Sequence, residues 1–209
     1  DHMGGGFHRY STDATWHVPH FEKMLYDQAQ LVISYLEAYQ ITHDAFYADL
    51  ARDVLSYVER DMTDQEGGFY SAQDAESATN PANPDVKKEG AFYTWTKKEI
   101  DGILTAEESE VFHYCFDAQS NGNVSTDAHK EFVGLNILRR SHTTEEAALR
   151  SKVSHLEIEQ VLGETEEVLA SAREKLFEVR SKRPHPHLDD KILLSWNGLM
   201  ISAFARAYQ

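Results

Sequence analysis

Two runs of helical spacing separated by almost no linker constrain the first third of this chain more than any other feature. From Phe21, apolar residues recur at Met24, Leu25, Val32, Tyr35, Leu36 and Tyr39, the three-and-four spacing of one helix face. Glu22, Lys23, Asp27 and Glu37 take the opposite face, and Pro19 stands just ahead, where proline suits a helix start. A second stripe of Tyr47, Leu50, Ala51, Val54 and Val58 predicts a helix over 45–62, with Asp44 as its cap. Residues 41–44 are all that joins the two, and helices joined so tightly lie antiparallel. The chain therefore opens with an αα-hairpin.

Further helices are expected over about 97–104, 106–116 and 158–182. Thr96 and Glu99 form a capping-box pattern at the first, and Pro184 and Pro186 stop the last. Residues 193–208 are apolar on nearly all sides, which predicts a helix buried all round, like an inner helix of a two-layer ring. Small β-hairpin insertions are expected where short aromatic segments, 69–72 and 91–95, flank a polar loop over 77–85 carrying Pro81 and Pro84. Residues 117–127 read as loop, and 132–138 as room for one short strand. The fold class expected is all-α, built from antiparallel helix hairpins with small β-hairpin insertions.

Charge and composition exclude several functions. Lys and Arg number 20 against 35 Asp and Glu, a formal net charge of -15. Neither a phosphate backbone nor an anionic membrane surface suits such a chain, so no nucleic-acid or membrane partner is expected. No run of about eighteen apolar residues is present to span a bilayer. Cys115 is the one cysteine, which rules out an intrachain disulfide and gives no sign of an oxidising compartment; an intracellular location is expected. Asn123-Val124-Ser125 is a formal glycosylation sequon with nothing else pointing to secretion. The chain reads as a piece of a longer polypeptide, opening in a glycine-rich turn and closing at Gln209 within an apolar run.

Three clusters could carry chemistry. Residues 4–27 pack His8, Arg9, Tyr10, Trp16, His17, His20, Glu22, Lys23, Tyr26 and Asp27 into a glycine turn, a loop and a helix start. Titratable groups beside aromatic platforms suit a sugar, whose C–H faces stack on rings while its hydroxyls meet charged groups. The second cluster is Asp74 and Glu76 beside Tyr70, with Tyr93 and Trp95 further on; paired carboxyls there could act as general acid and base. The third is Asp189, Asp190 and Lys191 followed by Trp196 and Asn197, charged residues unusually close to an apolar run. Each cluster also has a plainer reading: a polar helix start, a solvated acidic loop, and helix capping. Glycine precedes aromatic residues at Gly5-Gly6-Phe7, Gly67-Gly68-Phe69 and Gly90-Ala91-Phe92, which predicts positive-φ turns that aim rings either into a shared cavity or into a plug of the domain end.

Metal binding is not expected. Pro19 interrupts His17-x-x-His20, His185-Pro186-His187 reads as a stiff loop, and no second ligand pair has familiar spacing. The stretch 2–6 looks like an esterase oxyanion loop, but no G-x-S-x-G accompanies it, and Gly4-Gly5-Gly6 lacks the lysine and hydroxyl of a P-loop.

Four long motifs, GGGFHRYSTDATWHVPHFEKMLYDQAQL (4–31), EGGFYSAQDAES (66–77), KEGAFYTWT (88–96) and DDKILLSWNGLMISA (189–203), resemble in that order the spermatogenesis-associated protein 20 family, also called thioredoxin-domain-containing proteins. The resemblance covers most of the chain and is weakest over 141–156. It implies a fragment, residues 1–209, of an (α/α)6 toroid similar to N-acylglucosamine 2-epimerases and six-hairpin glycosidases. It also implies a thioredoxin-like domain elsewhere on the full-length chain and absent here; Cys115 has no C-x-x-C partner. Fold does not fix function. An epimerase would draw its base from His8 or His20, and a glycosidase its carboxyls from Asp27, Asp74 and Asp190. The catalytic candidates are therefore His20, Asp27, Asp74 and Asp190. The substrate-binding candidates are His8, Arg9, Tyr10, Trp16, Glu22, Lys23, Tyr26, Tyr70, Glu76, Tyr93, Trp95, Lys191, Trp196 and Asn197. The expected partner is a small-molecule sugar, with no cofactor. A ligand- or protein-binding module attached to the thioredoxin-like domain is the alternative, and a plain helical scaffold the third reading.

Overall fold

The computed structural model describes residues 1–125, 131–150 and 158–209. A small hairpin, β1 (Tyr10–Ser11) and β2 (Pro19–His20), precedes β3 (Lys23–Met24), which runs straight into α1 (Leu25–Thr42). α1 ends because His43 turns left-handed at φ 57, its N–H reaching Tyr39 O; Asp44 then caps α2 (Ala45–Asp61) by accepting from Phe46 N. The expected antiparallel pair is present. Leu25, Ala29 and Val32 of α1 pack on Ala51, Val54 and Val58 of α2, all nearly or wholly buried, each large side chain contributing about 1.5–3 kcal/mol.

Next come β4 (Ala72–Gln73), β5 (Glu76–Ala78), β6 (Lys87–Glu89), α3 (Lys97–Ile103), α4 (Ala106–Phe116), α5 (Thr144–Arg150), α6 (Ile158–Arg180), β7 (Leu188–Asp189) and α7 (Leu194–Tyr208). Thr96 with Glu99 and Thr105 with Glu108 form reciprocal capping boxes, so α3 and α4 start where side chains satisfy their first free N–H groups. α4 and α6 share a second core of Trp95, Phe112, Phe116, Leu169 and Leu176. A third, smaller core lies under the loops and contains Val18, Phe21, Phe92, Tyr93 and Ile137. The long-range join is a three-stranded antiparallel sheet, β3–β4–β7, that sets Met24 opposite Ala72 and Ala72 opposite Asp189.

The structure corrects several expectations. α1 begins at Leu25 rather than Phe21, because residues 23–24 pair with β4 instead of coiling. Residues 91–93 are a turn and not a strand. Their rings fold inward to the third core, and the hairpin is β5 with β6, across the polar loop 79–86. Within 132–138 the strand shrinks to a single bridge, Trp95 to Asn136. α5 has no counterpart in the reading of periodicity. α7 is not buried all round: Asn197, Met200 and Ala203 face inward, while Leu194 (89% exposed) and Ile201 (60%) face outward. The expected loop over 117–127 extends partly outside the described residues.

The glycine turns do carry positive φ. At Gly6 (φ 73) a Cβ would stand 2.4 Å from the Tyr57 ring, and at Gly90 (φ 70) 2.6 Å from the Phe21 ring. Their rings do not converge, however. Phe7 stacks on Tyr35, Phe69 on Phe204, and Phe92 against Tyr93.

Candidate functional site

Strand alternation sorts the densest motif onto two faces. Along 20–23, His20 and Glu22 are half-buried while Phe21 and Lys23 are buried, as successive side chains of an extended segment point oppositely. On the half-buried face, His20 Nδ1 sits 2.7 Å from Glu89 Oε1, and its Nε2 lies 3.6 Å from Glu22 Oε2. Tyr10 stacks on the His20 ring at 4.9 Å. Glu89 is itself fixed, since the same oxygen accepts from Phe21 N at 3.2 Å. Arg9 donates to Glu22 Oε2 at 2.9 Å, and its own N–H bonds Glu22 O.

Asp27, in the first turn of α1, adjoins this network. Burial raises its carboxyl pKa above the usual aspartate range; the Arg9 charge opposes that shift and Glu22 adds to it. Its Oδ2 is buried with no hydrogen-bond partner among the described residues. Tyr26 next to it meets Trp196 of α7 edge-on at 4.8 Å.

Glu22 also faces a 420 Å³ cavity shared with Asp74, His187, Asp189, Asp190 and Lys191. The β3–β4–β7 sheet brings these three remote segments together. Asp74 N bonds His187 O at 2.8 Å, and Lys191 Nζ holds both Asp189 oxygens, at 3.0 and 2.9 Å, which keeps that carboxyl below the usual range. Three of the four catalytic candidates, His20, Asp74 and Asp190, thus either touch Glu22 or line its cavity, and the fourth, Asp27, feels its charge. Arg9, Tyr10, Tyr26, Lys191 and Trp196 belong to the same neighbourhood. The arrangement offers an oriented imidazole, a carboxyl that keeps its proton longer than usual, ionic anchors and an aromatic wall.

Other expected site residues have different work. Trp95 is fully buried in the second core, under the Arg183 guanidinium at 3.8 Å, so it cannot line a cleft. Asn197 is buried and braces the glycine turn, accepting from Phe69 N and donating to Phe69 O. Lys23 points away from the cleft, into the interior. His8 and Tyr93 lie on that same inner side; His8 Nδ1 meets Phe21 O, and desolvation holds its imidazole well below the ordinary range. Tyr70 donates its hydroxyl to Asp64, and Glu76 is exposed on β5. Trp16 is 80% exposed in a loop pinned by Asp13 and lines a 580 Å³ cleft together with His8, Arg9, Tyr10 and Tyr93. Among the described residues, no group of three or more His, Cys, Asp or Glu is placed to hold a metal ion. Sequence reasoning missed Glu89 and His187. The available signal for Glu89 was a carboxylate directly before the glycine of the third glycine–aromatic turn.

No family model matches the chain. It is similar over nearly its whole length to curated proteins. It is 45% identical to spermatogenesis-associated protein 20 of Homo sapiens over 216 residues, 98% of this chain, and equally so to the Mus musculus protein. An uncharacterised protein of Caenorhabditis elegans is 40% identical over 220 residues. The chain spans only 26% of the mammalian relatives' length and 29% of the worm relative's.

Proposed function

We propose that this chain is a segment of a spermatogenesis-associated protein 20 family member and carries part of a carbohydrate-active site that moves protons on a bound sugar. The observation that carries this reading is His20, held through Nδ1 by Glu89 with Nε2 turned to the Glu22 side, where Asp27 keeps its proton longer than an ordinary aspartate. In an epimerase-like step His20 Nε2 takes the proton next to a sugar carbonyl while Asp27 gives a proton to the carbonyl oxygen, forming an enediol. Water then delivers a proton to the opposite face of that carbon, and Asp27 takes back the oxygen proton. His20, whose imidazolium Glu89 steadies through the Nδ1–H, returns its proton to solvent. Arg9 and Lys191 anchor hydroxyls, and Tyr26 with Trp196 forms the apolar wall.

The cavity carboxylates favour a second reading, glycosidase-like, with Asp27 as acid and Asp74 or Asp190 as its partner. Membership in an (α/α)6 toroid, on a longer chain with a thioredoxin-like domain, is part of the proposal. Its support is the antiparallel α1–α2 pair, the packing of α7 along α1, and the motif resemblance.

The test is to incubate the full-length protein with a panel of reducing sugars, N-acyl sugars and glycosides in deuterated water. Deuterium entering a sugar C–H, lost about 100-fold in His20→Gln and Glu89→Gln, supports the epimerase-like step. New reducing ends, with Asp27→Asn inactive, support hydrolysis. Saturable binding without product favours a binding module instead, and no interaction with any sugar defeats the proposal.

A further inference from the structure

Behind β3, on the side away from the Glu22 cleft, lies a cavity of 180 Å³ whose charged walls are Asp1, Lys23, Arg60, Asp61 and Arg180, with Tyr57, Gln73, Tyr93 and His185 beside them. Its charges do not balance. The side chains of Lys23 and Arg180 are 1% and 3% exposed. Both bind the same carboxylate, Asp1: Lys23 Nζ at 3.0 Å from Oδ2, and Arg180 Nη1 and Nη2 at 2.8 and 2.9 Å. Among the described residues, one anion thus serves two buried cations. The nearby carboxylates do not make up the difference. Asp61 is engaged by Arg60 through Nε and Nη2, and Asp53 is solvent-exposed.

The donors are also incompletely used. Arg180 Nε is buried with no hydrogen-bond partner among the described residues. Lys23 gives one further proton to Gly5 O at 2.7 Å and otherwise faces the Tyr57 ring at 4.2 Å and the Tyr93 ring at 5.1 Å. The two tyrosine hydroxyls both donate to Gln73 Oε1. A buried cation without a counter-charge is strongly unfavourable, and an orphaned buried N–H calls for a partner. Burial first, and the Arg180 charge next, push the Lys23 amine well below the ordinary lysine range.

We propose that this cavity binds a small oxyanion, a phosphate or a short carboxylate, which accepts from Arg180 Nε and Lys23 and supplies the missing negative charge. Phe92 and Phe177, which also line the cavity, limit the water that would compete for these donors. The site stands independently of the sugar reading, because it lies on the opposite face of β3.

Inorganic phosphate and acetate, titrated separately by calorimetry into the full-length protein, test it. Saturable binding of one or both at one site per chain is expected, and their relative affinities tell phosphate from carboxylate. Lys23→Met removes the surplus cation and is expected to weaken binding about tenfold or more, while Arg52→Ala, a change to an exposed charge, leaves it within about twofold. Arg180→Lys keeps the charge but loses the Nε–H, and is expected to weaken binding about fivefold even if Lys23→Met fails to fold. No saturable binding of either anion to the unaltered protein overturns the proposal. So does an affinity in Arg180→Lys equal to that of the unaltered protein.

Discussion

Glu108 ties the start of α4 to α6, and neutralising it isolates the contribution of one charge. Its Oε2 accepts from Thr105 N at 2.9 Å in the capping box; its Oε1 accepts from Ser171 Oγ at 2.7 Å and Lys175 Nζ at 2.5 Å. The Lys175 bond first, then the Thr105 N–H, lower the carboxyl from 4.5 to about 2. That difference corresponds to about 3.4 kcal/mol favouring the folded state once the group is ionised. Lys175 is 42% exposed, so water screens the pair and about 2 kcal/mol is the figure to expect. A depressed carboxyl stabilises above its unfolded pKa and loses that effect as pH falls towards the folded value. Glu108→Gln keeps the cap acceptor and the shape, so it should be about 2 kcal/mol less stable at pH 7, with the gap closing between pH 4.5 and about 2. Urea denaturation followed by tryptophan fluorescence at a series of pH values measures this. A gap that stays constant as the pH falls would mean that packing, not charge, is responsible, and would refute the reasoning.

Two further outcomes follow from local geometry. Gly6→Ala forces a Cβ to 2.4 Å from the buried Tyr57 ring at φ 73, and should cost about 2–4 kcal/mol, read as a lowered Tm. Asp27 has a raised carboxyl, so its ionisation costs stability as pH rises from the ordinary 3.8 through the folded value; Asp27→Asn should therefore be the more stable protein at pH 7, match it below 3.8, and lose activity, as thermal melts and sugar assays at several pH values would show.

Local signals recovered the helices well. The α1–α2 pair, the Thr96–Glu99 capping box and the span of α4 follow from short-range spacing and caps, which do not depend on the rest of the fold; the Thr105–Glu108 box has the same signal and was missed. The start of α1 did not, because pairing with residues 72–73 outweighs helical spacing at residues 23–24. Aromatics were the least legible residues. Trp95, Tyr93 and Trp16 look alike in a motif, yet one fills a core, one braces Gln73 and one stands in solvent. The grouping of Glu22 with Asp74 and Asp190 was not legible, because they fall in three separate sequence clusters and the sheet that joins them is a long-range event. Glu89 escaped notice because its role depends on a contact with His20, 69 residues away.

The three-stranded sheet has a consequence for how the protein is made. β3 and β4 can pair early, but β7 supplies the last strand, 166 residues after Lys23 (189 − 23). At roughly 5–20 residues per second on the ribosome, about 8–33 seconds pass between the emergence of the first wall of the cleft and that of the last. During that interval the edge of β4 that β7 will cover, next to Asp74, stands without that strand. The charge on Asp74 then has a second use, because charged side chains discourage an open edge from pairing with a neighbouring nascent chain.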